Sequence, residues 1–270
     1  MPGFQPKIYK TDSGNKLVVE SGGTIQVKSG GILLLDQGAI FNAEAFPQAY
    51  RTGWFEDFEG DVLKDQWSGA KGSDGDGVVP TIVAGSQTGK VRLTSGNDGT
   101  DGADLCILTH ALNWKANQGG LTMVCRFQIS AITAAYFFVG FTDVLATTTV
   151  EAPATLSGTS YTTAASDACG LMFDTAATTD TIRAVGVAAD VDATHVDTSI
   201  APVAATDLVV RIDLSTAGVM TAYINGTLVA TVAGAVTPTV LLTPVVAVSQ
   251  RATTARTLDV EYLGVSALRP

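Results

Sequence analysis

The sequence predicts an all-β protein in which a short N-terminal β-repeat precedes an antiparallel jelly-roll sandwich. Two observations predict this class. Residues 17–40 repeat an eight-residue pattern of apolar alternation and glycine, and from Trp54 onward segments with period-two alternation recur between turn-rich stretches. Few segments show the periodicity of an amphipathic helix. With 270 residues, the chain is long enough for a repeat module and one large domain.

The repeat keeps its register through consecutive units of eight residues. Positions one and three of each unit are apolar, position four is charged and position six is glycine. The apolar positions are Leu17, Val19, Ile25, Val27, Leu33 and Leu35, and the glycines are Gly22, Gly30 and Gly38. Each unit therefore predicts a short strand that ends in a tight bend.

Strands this short cannot cover their own apolar face in water. Identical chains can supply the missing cover around a symmetry axis. We therefore predict that residues 1–45 form a homotrimeric β-prism or short β-helix, with the residues of the repeat as trimer and anchoring contacts. The alternative is that these strands pack as an ordinary meander on the large domain of the same chain. Residues 46–53 are predicted to be a linker, and residues 54–270 the sandwich.

The repeat also carries a family resemblance. The segment from Tyr9, with Asp12-Ser13-Gly14-Asn15 and then the run from Lys16 to Gly23, resembles the N-terminal module of tailed-bacteriophage head-fibre and capsid-decoration proteins. The resemblance implies a structural virion protein that is made in the host bacterial cytoplasm. It would be held as a trimer on the outer head surface, where it binds the major capsid protein and stabilises the shell.

The large domain is predicted to be a sandwich because its strands alternate and its turns are recognisable. In 208–214, Leu208, Val210 and Ile212 share one parity and Arg211 the other, which predicts one buried face and one wet face. Asn225-Gly226 separates two alternating runs and predicts a type I′ hairpin. The predicted strands are 90–94, 105–109, 121–129, 135–141, 168–173, 181–187, 208–214, 219–225, 228–232, 240–248 and 258–265.

The start of this domain resembles a second family. The run Phe55–Asp61, followed by Leu63 and Trp67, resembles the opening of concanavalin A-like lectin and glucanase sandwiches, and the hairpin at Asn225-Gly226 resembles a late hairpin of the same family. The resemblance implies the same jelly-roll fold.

Composition limits the partners. The net charge is −10 and the basic residues do not cluster, so nucleic acid is not an expected partner. No apolar run approaches the length of a membrane helix, and the first residues lack the pattern of a secretion signal. Cys106, Cys125 and Cys169 each lie in an apolar stretch, which predicts buried, reduced thiols.

The sequence shows no catalytic motif. Glycoside cleavage usually needs two carboxylates that share a groove, and the sandwich glucanases that the domain resembles carry a Glu-x-Asp-x-x-Glu or Glu-x-Asp-x-Glu strand, which is absent here. The acidic residues of the first and last strands are interpreted as solvated; they are Glu56, Asp57, Glu59, Asp259 and Glu261. We predict no catalytic residue and no cofactor, hence that the chain is not an enzyme. A hydrolase with an unrecognised site is the third hypothesis.

The alternative to a capsid-decoration role is a carbohydrate-binding module for host attachment. Trp114 and Tyr161 lie in loop-like stretches and are the predicted glycan contacts. Clustered hard-oxygen side chains at Asp74, Asp76, Asp98 and Asp101 are weak calcium candidates, and turn formation is the favoured interpretation of their Asp-Gly pairs. No metal site is otherwise predicted, and no strand is predicted in the insertion at 143–167.

Overall fold

A computed structural model describes residues 8–11, 16–19, 51–72, 77–86, 89–97, 105–146 and 151–269. The chain divides into two compact units, Met1–Phe46 and Pro47–Pro270. In the first unit, β1 (Ile8–Thr11) and β2 (Lys16–Val19) pair as an antiparallel hairpin. Of the predicted trimer contacts, Leu17 and Val19 lie in β2, and the other seven lie outside the described residues. The trimer therefore stays a prediction.

The second unit is an antiparallel jelly-roll sandwich, so the predicted fold class is confirmed. Every strand predicted for the sandwich is present. The strands are β3 (Arg51–Glu56), β4 (Ser68–Lys71), β5 (Val78–Ile82), β6 (Val91–Thr94), β7 (Cys106–Thr109), β8 (Leu121–Ile129), β9 (Ala135–Thr142), β10 (Ala154–Ser157), β11 (Ser160–Thr163), β12 (Ala168–Asp174), β13 (Arg183–Ala188), β14 (Val191–Asp192), β15 (Val196–Asp197), β16 (Leu208–Leu214), β17 (Met220–Ile224), β18 (Thr227–Val232), β19 (Thr243–Gln250) and β20 (Thr257–Leu268).

Two eight-stranded sheets form the sandwich. Sheet I has the order β14-β13-β12-β9-β19-β7-β4, with β15 also paired to β13. Sheet II has the order β18-β17-β16-β8-β20-β6-β5, with β3 also paired to β20. Because β3 begins at Arg51, the last three residues of the predicted linker belong to the sandwich, where they pair with the end of β20.

The core lies between the sheets, and sheet II has one buried and one wet face, as the alternation predicts. In β8 and β16, every second residue is buried and the residues between them are partly or fully exposed. The hairpin at Asn225-Gly226 also agrees with its prediction, since both residues have positive φ, 49° and 80°.

Sheet I differs, because its central strands are buried on both faces. Every residue of β9, β12 and β19 is buried. The cover on the outer face comes from the described part of the insertion at 143–167, whose strands β10 and β11 form a separate two-stranded sheet. This hairpin and its flanks close a second apolar cluster, made of Leu105, Ile107, Tyr136, Phe138, Ala146, Ala154, Leu156, Ala165, Ala168, Met172, Val185, Val245 and Ala247. The prediction of one buried and one solvent-exposed face is therefore correct for sheet II and not for the central strands of sheet I.

Within the described residues, no helix is long and apolar enough to cross a membrane. The three cysteines are free and buried, as predicted.

Candidate functional site

The outer face of sheet II carries a pair of aromatic rings. Alternation along β3 turns Trp54 toward the core and Phe55 outward, where its side chain is 64% exposed. The ring of Tyr262 from β20 lies beside it, with centroids 5.4 Å apart and planes tilted by 32°. Phe55 is paired with Gly264 of β20. A Cβ on Gly264 would come within 3.0 Å of Phe55 Cδ2, so the ring lies over a position that has no side chain.

A bulge in β20 places a carboxylate next to the aromatic pair. The register between β20 and β8 shifts between Val260 and Tyr262. An extra residue in one strand interrupts strict alternation. Glu261 and Tyr262, which are neighbours in the chain, are therefore both partly exposed, while Val260 and Leu263 on either side are buried.

The aromatic pair borders a shallow groove of ≈ 430 Å³. Its floor is formed by small side chains of β8 and β20. The lining residues are Trp54, Phe55, Thr122, Val124, Tyr262, Gly264, Val265 and Ser266. The site is thus an open, mostly apolar depression on a sheet face.

An array of ion pairs lies beside this groove. Glu261 contacts Lys90 Nζ at 3.0 Å and Arg126 Nε at 2.9 Å. Arg126 also donates from Nη2 to Asp207 at 2.5 Å, and this hydrogen bond is the main reason why the pKa of Arg126 is raised. Glu261 is therefore held by two cations, and one of them, Arg126, is the residue that is paired with Tyr262 across the strands.

The same face carries a second ion pair. Asp259 accepts two hydrogen bonds from the guanidinium of Arg92, at 2.6 and 2.7 Å, and this contact raises the pKa of Arg92. Asp259 and Glu261 lie on the outer face as predicted, but their side chains are only 13% and 15% exposed, because they are covered by their cationic partners.

The interpretation of Glu56 as a solvated residue is wrong. Glu56 is 3% exposed, because alternation along β3 turns it to the opposite face of the strand from Phe55. Its carboxylate accepts a hydrogen bond from Lys64 Nζ at 2.8 Å. It also accepts the backbone N–H of Phe58 at 3.2 Å. These contacts fix the chain as it leaves β3.

The predicted glycan contacts do not come together. Trp114 is 4% exposed, because its backbone pairs with Leu242 and its ring joins the core; its prediction as an exposed residue is wrong. Tyr161 lies in β11 and is half-buried, with its ring centroid 3.6 Å from that of His195. The calcium candidates Asp74, Asp76, Asp98 and Asp101 lie outside the described residues.

Sequence reasoning missed Phe55 and Tyr262. Trp54 and Phe55 are consecutive aromatics in the opening motif, and only the pairing of β3 with β20 decides which of them faces outward. For Tyr262, the bulge reverses the parity that the alternation of the last strand suggests.

An exposed ring beside paired carboxylates and guanidinium groups can bury the C–H face of a sugar, while the polar groups form hydrogen bonds with its hydroxyls.

A larger pocket of ≈ 490 Å³ lies at one end of sheet I. Its lining comes from the loops that follow β8, β12 and β19, and the residues are Ile132, Thr133, Ala134, Thr175, Ala176, Asp180 and Arg251. No aromatic ring is among them. We therefore place the candidate site on sheet II.

Comparisons with known proteins identify the fold. No protein-family model and no curated protein matches the chain. A Shewanella oneidensis MR-1 protein of unknown function has a TM-score of 0.54 at 14% identity, covering 87% of this chain and 97% of that one. The Bacillus licheniformis β-glucanase has a TM-score of 0.53 at 14% identity, covering 79% and 97%. The carbohydrate recognition domain of Emp47p has a TM-score of 0.53 at 10% identity, covering 81% and 97%.

These matches correct two expectations. The prediction that the chain is not an enzyme is overturned, because β-glucanases and a laminarinase share its fold; a missing glucanase strand motif is not enough to exclude glycoside hydrolysis. Nothing in the matches supports the capsid-decoration part of the resemblance. What they show is the concanavalin A-like jelly roll of glucanases and lectins.

Proposed function

We propose that the sandwich binds carbohydrate through the outer face of sheet II. The observation that carries this proposal is the ring of Phe55, 64% exposed, beside Tyr262, which pairs with Arg126 across the strands and follows Glu261 in the chain. Leaving a large aromatic side chain in water forgoes about 1.5–3 kcal/mol of burial. A ligand that covers the two rings recovers part of that free energy.

The binding face is assigned to sheet II because its outer face is not covered by another part of the described chain at the groove. The outer face of sheet I is closed by the hairpin β10–β11, whereas the outer face of sheet II is open at the groove. The names of the structural neighbours, which include β-glucanases and a carbohydrate recognition domain, support a saccharide as the ligand class.

The proposal is tested by affinity electrophoresis and calorimetry with soluble polysaccharides. The panel is mixed-linkage β-glucan, laminarin, hydroxyethylcellulose and gastric mucin. Phe55→Ala and Tyr262→Ala are each expected to weaken binding about tenfold, equivalent to about 1.4 kcal/mol. Val191→Ala removes a side chain that is 66% exposed on β14 of sheet I, and it is the matched control. Release of reducing sugar, measured in the same samples, reports whether the bound polysaccharide is cut.

Two results would reject the proposal. One is a wild-type protein that retains no polysaccharide of the panel. The other is that Phe55→Ala and Tyr262→Ala bind polysaccharide with the same affinity as the control Val191→Ala.

From the repeat alone, we also propose that residues 1–45 trimerise the chain and hold it on the outer surface of a phage head through the major capsid protein. Several anchoring points on one trimer would add avidity. Light scattering of the full chain and of a chain that begins at Pro47 tests the first step, and co-sedimentation with heads tests the second. If the full-length protein is a monomer, this proposal is rejected, and the carbohydrate-binding proposal is unaffected.

A further inference from the structure

Four basic side chains on the outer face of sheet II, all among the side chains that the structure describes, are paired with carboxylates. The strands of this sheet and the residue before β6 place Lys90, Arg92, Arg126 and Arg211 there. Each of these four lies 3.0 Å or less from a carboxylate oxygen, of Glu261, Asp259, Asp207 and Asp213 respectively. This part of the described surface therefore offers hydrogen-bond donors without an excess of positive charge.

Glu261 is the centre of the array nearest to the aromatic rings. Its two oxygens face different cations, Oε1 toward Lys90 and Oε2 toward Arg126. Glu261 faces outward in the same parity as Asp259, and the bulge turns the next residue, Tyr262, to the same face, so a sugar stacked on that ring lies on the side of the sheet that carries this carboxylate.

We infer, on the basis of the proposed function, that this site selects uncharged saccharides and that Glu261 is the residue that enforces the selection. A sulfate or carboxylate that accepts from the remaining donors of Arg126 lies close to the carboxylates of Glu261 and Asp207, which already balance the charge of this guanidinium. Like charges placed together at an interface are costly. The net charge of −10 adds a long-range repulsion of anionic chains.

A neutral sugar meets no such obstacle. A guanidinium carries five N–H donors and a carboxylate has about four lone-pair positions, so pairs of this kind keep bonding capacity after they have joined. Hydroxyl groups can donate to Glu261 and accept from Arg126 without breaking their contact. Such binding releases few ions, and its affinity should depend little on salt.

The test uses matched polysaccharides that differ in charge: laminarin against sulfated laminarin, and hydroxyethylcellulose against carboxymethylcellulose. For the full-length protein, we expect the neutral member of a pair to bind at least about tenfold more tightly, with little change on adding NaCl. Glu261→Gln keeps the shape of the side chain and removes its charge. It is expected to shift the ratio of sulfated to neutral affinity at least about tenfold toward the sulfated member.

Two further variants control this result. Glu151→Gln makes the same charge change at an exposed site of the insertion over sheet I, and it should leave the ratio unchanged. Asp207→Asn removes the other carboxylate on Arg126 from a side chain that is 37% exposed, and it should shift the ratio in the same direction as Glu261→Gln. The second variant keeps the test available if Glu261→Gln does not fold.

The outcomes separate the two proposals. Equal or tighter binding of the anionic polysaccharides by the wild type overturns the inference and leaves carbohydrate binding intact. The inference is overturned in the same way if Glu261→Gln and Asp207→Asn move the ratio no more than Glu151→Gln does. If neither neutral polysaccharide nor its anionic partner is bound, the proposed function itself fails.

Discussion

The carboxylate of Asp174, at the end of β12, accepts two hydrogen bonds from the Arg251 guanidinium, from Nε at 2.9 Å and from Nη2 at 2.5 Å. Asp174 is fully buried, and the Arg251 side chain is 9% exposed. The same carboxylate accepts the backbone N–H of Leu156 and of Ala176, both at 3.0 Å. One buried charge thus joins sheet I to the hairpin that covers it.

Arg251→Met is expected to lower the free energy of unfolding by about 3–5 kcal/mol, because it leaves the buried carboxylate of Asp174 without its cation. Since Asp174 holds the N–H of Leu156, the hairpin β10–β11 should also become more mobile. Urea denaturation measures the first effect, and amide hydrogen exchange at Leu156 measures the second.

Arg211→Met supplies the comparison for that variant. Arg211 pairs with Asp213 on an open sheet face, where its side chain is 46% exposed. Exposed pairs contribute about 0–1 kcal/mol. Similar losses for the two variants would show that the Asp174–Arg251 pair has no special role in holding the hairpin.

Gly140→Ala is expected to destabilise the sandwich by about 3 kcal/mol or more. Gly140 of β9 is paired with Gly170 of β12. An added Cβ would meet Cys169 O at 2.1 Å and Gly170 Cα at 2.6 Å, and backbone atoms in a central strand cannot move aside cheaply. Thermal unfolding followed by circular dichroism checks this.

Gly264→Ala is the control for the glycine prediction. Its Cβ would meet the edge of the exposed Phe55 ring at 3.0 Å, and that ring can swing outward. The expected loss is about 0.5 kcal/mol or less. If the two variants melted at the same temperature, the steric argument for Gly140 would be refuted.

The central strands β8 and β16 of sheet II can be predicted well because their outer face is exposed to water. In β8 and β16, the polar residues fall between the apolar ones, and both strands have the bounds that the alternation predicts. The short strands β4, β10 and β11 escape prediction, since Gly, Ser and Thr obscure any alternation there. A strand of four such residues resembles a loop until its partner is known.

The cover on sheet I could not be predicted for a related reason. The insertion 143–167 contains mostly Ala, Thr and Ser, which suggests an exposed loop. Its described residues, 143–146 and 151–167, cover an apolar face with mostly small side chains, and hydrogen bonds to residues distant in sequence hold them there. Tyr136 Oη, for example, donates to Ala154 O at 2.7 Å. Contacts of this kind depend on the register of the whole sheet, which a single sequence does not reveal.

The three thiols are expected to be unreactive in the native state. Cys106, Cys125 and Cys169 have no exposed surface, and burial raises the pKa of all three, that of Cys106 to about 12. The thiolate is the reactive form. A disulfide-exchange reagent at mildly alkaline pH should therefore label none of the three in the folded protein and all of them in urea. Rapid labelling of even one thiol before unfolding would contradict the buried positions.

His195 is expected to make the protein less stable in mild acid. Burial is the main reason why its pKa is lowered from 6.5, and the nearby Arg183 lowers it further, while the Gly186 carbonyl and Asp192 act in the opposite direction. Its ring packs on Tyr161 of the covering hairpin. The unfolded chain therefore binds a proton at a higher pH than the folded chain does, and stability decreases as the pH falls below about 6.5.

His195→Phe keeps an aromatic ring against Tyr161 and removes the titration. Between pH 7 and pH 5, it should lessen the loss of unfolding free energy, by at most about 1.4 kcal/mol per pH unit for one proton. His110, whose pKa is also lowered by burial, and Asp143, whose pKa is raised by burial, contribute equally to both proteins and cancel in the difference. Urea midpoints at the two pH values give that difference. If both proteins lose the same stability, His195 takes up its proton in the folded state as readily as in the unfolded chain, and burial beneath the hairpin does not control it.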